Sequence, residues 1–266
     1  MGKATDVMDV CLLAGEIMLK YGGETYRVEE TIERMAKSAS LSNIHCFATP
    51  TGVFLSFEEE GKEAFMQMVR VDERMQDLSK IAEVNQVSRE LVDGKITIKE
   101  AYEKLQQIAK APLQYPLWLI HIAAGFAGSG FSYLFGGGFA DLFPAFIAAV
   151  LTSIVVVGME RKLKIRFAAD FAAAFVGATV AIFLVFLGLG NHLDQIIIGL
   201  LMPLVPGVPL TNGVRDIMAG DLLAGLSRGA EALLTSLSIA TGVALSMSVC
   251  LLKGGPSRSD CTSSCY

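Results

Sequence analysis

Two kinds of hydrophobic pattern divide this chain of 266 residues. In the first part, apolar residues recur at helix or strand periods among charged ones. Val7, Val10, Cys11, Ala14, Ile17 and Met18 fall at helical spacing, and Tyr21-Gly22-Gly23 ends that helix. Val28, Ile32, Met35, Ala36 and Ala39 define a second helix, led in by Gly23 to Glu30. Ile44–Thr49 and Val53–Phe57 alternate on either side of Pro50-Thr51-Gly52, which predicts a hairpin. Glu63–Arg70 supplies a third strand after a Glu58-Glu59-Glu60-Gly61-Lys62 turn. Asp72–Val92 reads as a long helix closed by Asp93-Gly94, and Thr97 with Glu100 makes a capping box for a last helix carrying Ala101, Leu105 and Ile108. The order ααβββαα predicts a small α+β domain over residues 1–111.

From Pro112 onward the periods give way to long apolar runs. A membrane-spanning helix needs about 20 mostly apolar residues. Pro112–Phe135, Phe171–Gly190 and Ala232–Leu252 contain no charged side chain, and Phe139–Gly158 contains only Asp141. Gln195–Val214 is also uncharged but holds Pro203, Pro206 and Pro209. The predicted fold is therefore an α-helical multispan membrane protein, with five transmembrane helices over residues 112–253, one of them broken. The small α+β domain precedes it, and a flexible polar tail, 254–266, follows.

Composition sharpens this division. The chain is 52% hydrophobic and 18% charged, yet 33 of its 49 charged side chains precede Pro112, so neither part has the average composition. A net charge of −5 argues against a nucleic-acid partner. Arg161, Lys162, Lys164 and Arg166 crowd one loop and mark it as cytosolic, which puts the loops at Gly136–Gly138 and Asn191–Asp194 outside. Met1–Lys20 carries Lys3, Asp6, Asp9 and Glu16 rather than a signal peptide, so the α+β domain is expected in the cytosol and the spans in the cytoplasmic membrane. Five cysteines, with Cys11 and Cys46 far from the rest, make no disulfide framework. Cys261 and Cys265 lie in the polar tail.

The candidate chemistry sits around the broken span. Three prolines at intervals of three cannot share one regular helix, because each removes a donor and clashes with the preceding turn. Irregular backbone at membrane depth persists where it is buried in protein or lines a wet cavity, and such breaks bind polar solutes in transporters. Pro203, Pro206, Gly207 and Pro209 are the expected break. Thr211 and Asn212 offer neutral hydrogen bonds, and Arg215, Asp216, Asp221 and Asp170 are ionisable groups beside or within apolar sequence, where burial is expensive. Each has a plainer reading as a loop or helix-entry charge. No P-loop and no nucleophile elbow is present, and His45, His121 and His192 are far apart, so neither cofactor nor metal is expected, nor an enzyme.

Two segments resemble the threonine/serine exporter family. Glu24-Thr25-Tyr26-Arg27-Val28-Glu29-Glu30-Thr31-Ile32 is similar to its N-terminal motif, in which Glu24, Thr25, Arg27 and Glu29 are the candidates. Pro203 to Asp221, followed by Ala224-Gly225 and Arg228, is similar to its second signature. The resemblance covers almost the whole chain up to about Lys253. It implies a secondary exporter, driven by the proton gradient, for small polar metabolites such as threonine and serine. It further implies that the chain is the larger subunit of a split system, needing a small second membrane subunit; a homo-oligomer is left open. A succinate-like dicarboxylate exporter is the alternative within the family. From other classes come an intramembrane aspartyl hydrolase using Asp170 and Asp221, and a membrane-tethered sensor whose α+β domain binds a regulator. Gly220-Asp221 resembles the end of a G-x-G-D motif, but residue 218 is Met.

Overall fold

The structure is a computed structural model describing residues 3–39, 41–58, 64–72, 75–112, 115–163 and 165–252. The chain divides into two compact units. Unit one holds the residues up to Pro112 together with Gly207–Glu231; unit two holds the rest.

Unit one opens with helices α1 (Lys3–Lys20) and α2 (Thr25–Ser38), followed by strands β1 (Ser42–Thr49), β2 (Gly52–Glu58) and β3 (Phe65–Arg70). The strands form one antiparallel sheet in the order β1-β2-β3, with Ala48, Val53 and Val69 in register. Alternation along β2 turns Val53, Leu55 and Phe57 into the core, where they meet Met8 and Met18 of α1 and Ile32 and Met35 of α2. The core also encloses Cys11, whose thiol burial pushes up to about 12, leaving it a packing group.

Helix α3 (Leu78–Val92) starts later than the Asp72 expected from the pattern. Just before it, the Met75 and Asp77 N–H groups donate to the Lys20 and Tyr21 carbonyls, which hold this stretch out of the helix. The Asp77 side chain then caps the N–H groups of Ser79 and Lys80. Helix α4 (Ile98–Lys110) carries the capping box of Thr97 and Glu100 in full. The acidic turn expected between β2 and β3, apart from Glu58, and the polar tail with Cys261 and Cys265 lie outside the described residues.

Unit two is built from α5 (Leu117–Leu134), α6 (Phe139–Leu163), α7 (Arg166–Phe186), α8 (Leu193–Leu201), a 3-10 turn (Met202–Leu204) and the larger part of α10 (Leu222–Leu252). Ala145, Ala148 and Ala149 of α6, Ala181 of α7, and Ile196 and Leu200 of α8 form its core. Small side chains let the backbones close up, as close packing between lipid-facing helices requires. A methyl added at Gly128 would fall 2.5 Å from Ala149 Cβ. Asp141, fully buried, ties the N-terminus of α6 to the loop before α8: it accepts the N–H groups of Gly138 (2.7 Å), Asn191 (2.6 Å) and His192 (3.1 Å), and pairs with His192 Nδ1 at 2.8 Å. Such a clasp satisfies a carboxylate that would otherwise be costly in an apolar surround.

Among the described residues four helices, α5, α6, α7 and α10, are long and apolar enough to cross a membrane, and the broken pair Leu193–Leu204 and Gly207–Ala219 makes a fifth crossing if counted as one span. Within that pair the pattern misplaces one proline. Pro203 lies in the 3-10 turn and Pro206 in the break, but Pro209 lies inside helix α9 (Gly207–Ala219). Its position in the first turn, where no intrahelical N–H bond is made, removes the conflict. Helix α10 begins at Leu222, ten residues ahead of the apolar window that announced it.

Candidate functional site

Two helix-ending turns meet in unit one. After α1, Gly22 adopts φ +92°, and the N–H groups of Gly22 and Gly23 return to the carbonyls of Leu19 and Met18. After α9, Gly220 adopts φ +98°, and the N–H groups of Gly220 and Asp221 return to Ile217 and Asp216. Both are Schellman turns, which need a residue tolerant of positive φ and leave the following backbone facing outward.

The α9–α10 corner grips the turn between α1 and α2. Asn212 Nδ2 donates to the Gly22 carbonyl at 3.1 Å, and Arg228 Nη2 to the Gly23 carbonyl at 2.6 Å. Asp216 Oδ1 accepts the Thr25 N–H at 3.3 Å, and Asp221 Oδ2 accepts the Thr25 hydroxyl at 3.4 Å. Arg215 pairs with Glu24. Asp216 and Arg228 form an ion pair of 3.1 Å (Oδ2 to Nε), with the two residues only 0% and 6% exposed. Buried ions are tolerated when paired and further hydrogen-bonded, and each here makes a hydrogen bond beyond the pair: Asp216 through Oδ1 with Thr25, Arg228 through Nη2 with Gly23. Close packing of the corner is allowed by Gly213 and Gly225: a methyl at Gly225 would fall 2.7 Å from the Gly213 carbonyl oxygen.

The six ionisable or polar candidates therefore part company. Asn212, Arg215, Asp216 and Asp221 come together with Glu24 and Thr25, although some 190 residues separate the two groups in sequence. Thr211 stays outside, its hydroxyl folded back onto the Gly207 and Val208 carbonyls. Asp170 belongs to unit two, on α7, and is buried there. Arg27 lies at the edge, paired with Glu24 at 2.9 Å and with the Tyr26 hydroxyl. Arg228 and the carbonyls of Gly22 and Gly23 carry the grip without standing among the candidates. A cation seven residues beyond Asp221 in apolar sequence was the available signal for Arg228; a glycine carbonyl has none.

Glu29, half-buried on α2, accepts the Ala48 N–H at 2.7 Å. Burial raises its pKa above the ordinary 4.5, opposed by that bond from Ala48, and the charges of Asp221, Glu33 and Asp216 raise it further. The folded protein thus holds this proton more tightly than the unfolded chain, and stability from this group falls as pH rises above about 4.5. Glu29→Gln keeps the acceptor and removes the charge. The variant should gain thermal stability relative to the native chain as pH rises from 4.5 (the ordinary value) towards neutrality; a gap that is constant with pH would contradict the assignment.

Among the described residues no group of three or more His, Cys, Asp or Glu side chains could hold a metal ion. The site is an interlock of three acids (Glu24, Asp216 and Asp221), two arginines (Arg215 and Arg228), Asn212, Thr25 and main-chain groups, suited to holding a segment.

Comparison with known proteins agrees with these motifs. Residues 9–250 match the threonine/serine exporter family, ThrE. The chain is 26% identical to the "Probable threonine/serine exporter" of Mycobacterium tuberculosis over 91% of its own length and 46% of that protein. It is 24% identical to the "Probable succinate transporter subunit YjjP" of Escherichia coli K12, over 93% of its own length and 96% of that protein. It is also 22% identical to "Pheromone-regulated membrane protein 10" of Candida albicans over 90% of its length and 22% of that protein. The chain thus spans about half of the mycobacterial relative and nearly all of YjjP. No solved structure matches.

Proposed function

The chain belongs to the threonine/serine exporter family, and from that premise we propose that it is one subunit of a secondary exporter moving threonine- or serine-like amino acids out across the cytoplasmic membrane. Family membership implies transport rather than catalysis, and the apolar helices fit a multi-pass membrane protein. The α+β unit faces the cytosol, on the strength of the cationic loop at Arg161–Arg166. A small second membrane subunit completes the exporter: one relative is named a transporter subunit, and another is about twice the length of this chain.

The observation that carries the proposal is the interlock between the α1–α2 turn and the α9–α10 corner. Helix α9 follows the break at Pro206, and α10 continues into unit two, so the gripping corner is covalently joined to spanning helices at both ends. Holding or freeing it gates the exporter, with Asp221 and Thr25 as the weakest-held contact at 3.4 Å. A succinate-like solute is the second reading, favoured by the name of the YjjP relatives.

Cells stripped of their own exporters and loaded with labelled threonine, serine or succinate would test both. The native chain should lower intracellular threonine or serine. Asp221→Asn should lose at least tenfold in export rate while reaching the membrane in unchanged amount. Normal export by that variant would remove the gate, and a native chain that moves only succinate would decide for the second solute.

A further inference from the structure

Unit two holds buried polar groups that the gate does not use. Among its described residues, the buried side-chain oxygens without a hydrogen bond belong to Ser132, Asp170, Gln195 and Thr235. Two of these four lie on helices that face each other. A methyl at Gly242 of α10 would fall 2.6 Å from the Phe171 carbonyl oxygen and 3.1 Å from Ala174 Cβ of α7, and Thr179 of α7 bonds Ser246 of α10 at 2.9 Å. Both contacts advance in the same direction along both helices, so α7 and α10 run parallel.

Asp170 lies one turn before Ala174, on the face that meets α10. Thr235 lies two turns before Gly242, on the stripe that also buries Ile239 and Ser246. Stepping back seven residues from the Gly242 contact brings Thr235 level with Arg166, about one helical turn, or about 6 Å along the axes, from Asp170. Asp170 is 4% exposed and Thr235 is 1% exposed.

The state of the Thr235 hydroxyl is unusual for its own helix. Ser227, Ser236, Ser238, Thr241 and Ser248 of α10 each donate to the carbonyl four residues back. Thr235 makes no such bond. Buried polar groups are almost always paired, and the exceptions call for an explanation in function. An acid whose Oδ2 makes no hydrogen bond, about one turn from a hydroxyl that makes none either, has the chemistry to receive between them a group bearing positive charge and several hydrogen-bond donors.

We propose that Asp170 and Thr235 bind the ammonium group of the exported amino acid between α7 and α10. This rests on the amino-acid exporter reading and adds to it the residues that choose between an amino acid and a dicarboxylate. A dicarboxylate brings no positive end, and the Asp170 carboxylate would repel it.

The test uses the full chain in cells lacking their own exporters, and the purified full chain. L-threonine, succinate and sodium chloride are the probes. Asp170→Asn should lower threonine export at least tenfold at equal membrane abundance. Thr235→Val should lower it several-fold, and Thr235→Ser should restore it. L-threonine should raise the thermal midpoint of the native protein and not that of Asp170→Asn. If Asp170→Asn fails to reach the membrane, the Thr235→Val and Thr235→Ser pair decides alone. Native-like threonine export by both Asp170→Asn and Thr235→Val overturns the pair and leaves the exporter reading standing. A native chain that exports succinate but no amino acid overturns that reading and the ammonium site with it. Stabilisation of the native protein by sodium without threonine, lost in Asp170→Asn, assigns the positive charge to an alkali cation and overturns the ammonium assignment.

Discussion

Arg228→Met should unfasten the α9–α10 corner and abolish export. The substitution removes one half of a buried ion pair and leaves Asp216, wholly buried, with an uncompensated charge. It also deprives the Gly23 carbonyl of its donor. Breaking a buried pair from one side costs about 3–5 kcal/mol, more than a surface salt bridge by a wide margin. Thermal unfolding of the detergent-purified protein should show the loss. Replacing both partners, Arg228→Met with Asp216→Leu, should recover part of the stability, because well-packed apolar side chains substitute for buried ions. Export should stay lost, since Asp216→Leu takes away the acceptor of the Thr25 N–H. Additive single and double effects would show that the two residues do not act as a pair.

Gly225→Val should have a comparable effect through shape alone. Its Cβ would stand 2.3 Å from Ile217 Cγ1, 2.9 Å from the Ile217 nitrogen and 2.7 Å from the Gly213 oxygen. The Ile217 side chain is partly exposed and can turn away, but the backbone atoms cannot. Helices α9 and α10 must then separate, and the Asp216–Arg228 distance must grow. Overpacking of this kind costs about 1–3 kcal/mol, and here it adds to the cost of a stretched ion pair. Gly229→Ala is the matched control, because nothing lies within 4 Å of its added methyl. There the change should be neutral or stabilising by up to about 1 kcal/mol, from helix propensity. Loss of export in the Gly229 variant, or full export with native stability in the Gly225 variant, would show that close approach is not what matters.

Much of the secondary structure was legible because it rests on local rules. The Thr97–Glu100 capping box, the hairpin around Pro50 to Gly52 and the apolar windows each depend on residues within a few positions of one another. Misplaced boundaries have tertiary causes: α3 starts late because its approach is bonded to the end of α1. Asp216 and Asp221 stood out as ions in apolar surroundings, but nothing local pairs them with Thr25, almost 200 residues away. Pro209 looked like a breaker because its neighbours are prolines; its first-turn position depends on where α9 starts, which Pro206 decides. Thr235 could not be singled out, since its interest lies in a bond to its own backbone that five other hydroxyls of α10 make and it does not.

The length of α10 has a consequence for the lipid. A bilayer's hydrocarbon, about 30 Å thick, is filled by about 20 residues of helix. Helix α10 has 31. The excess of eleven residues, about 16 Å at 1.5 Å each, is an overhang. With the apolar window from Ala232 onward placed in hydrocarbon, the overhang is the stretch that carries Ser227 and Arg228. A thicker bilayer would draw on that overhang first, and the turn holding Arg228 would be the next to meet hydrocarbon. Lengthening the acyl chains is therefore expected to loosen the grip on the α1–α2 turn, and export should be fastest in membranes thin enough to keep the Arg228 turn outside the hydrocarbon.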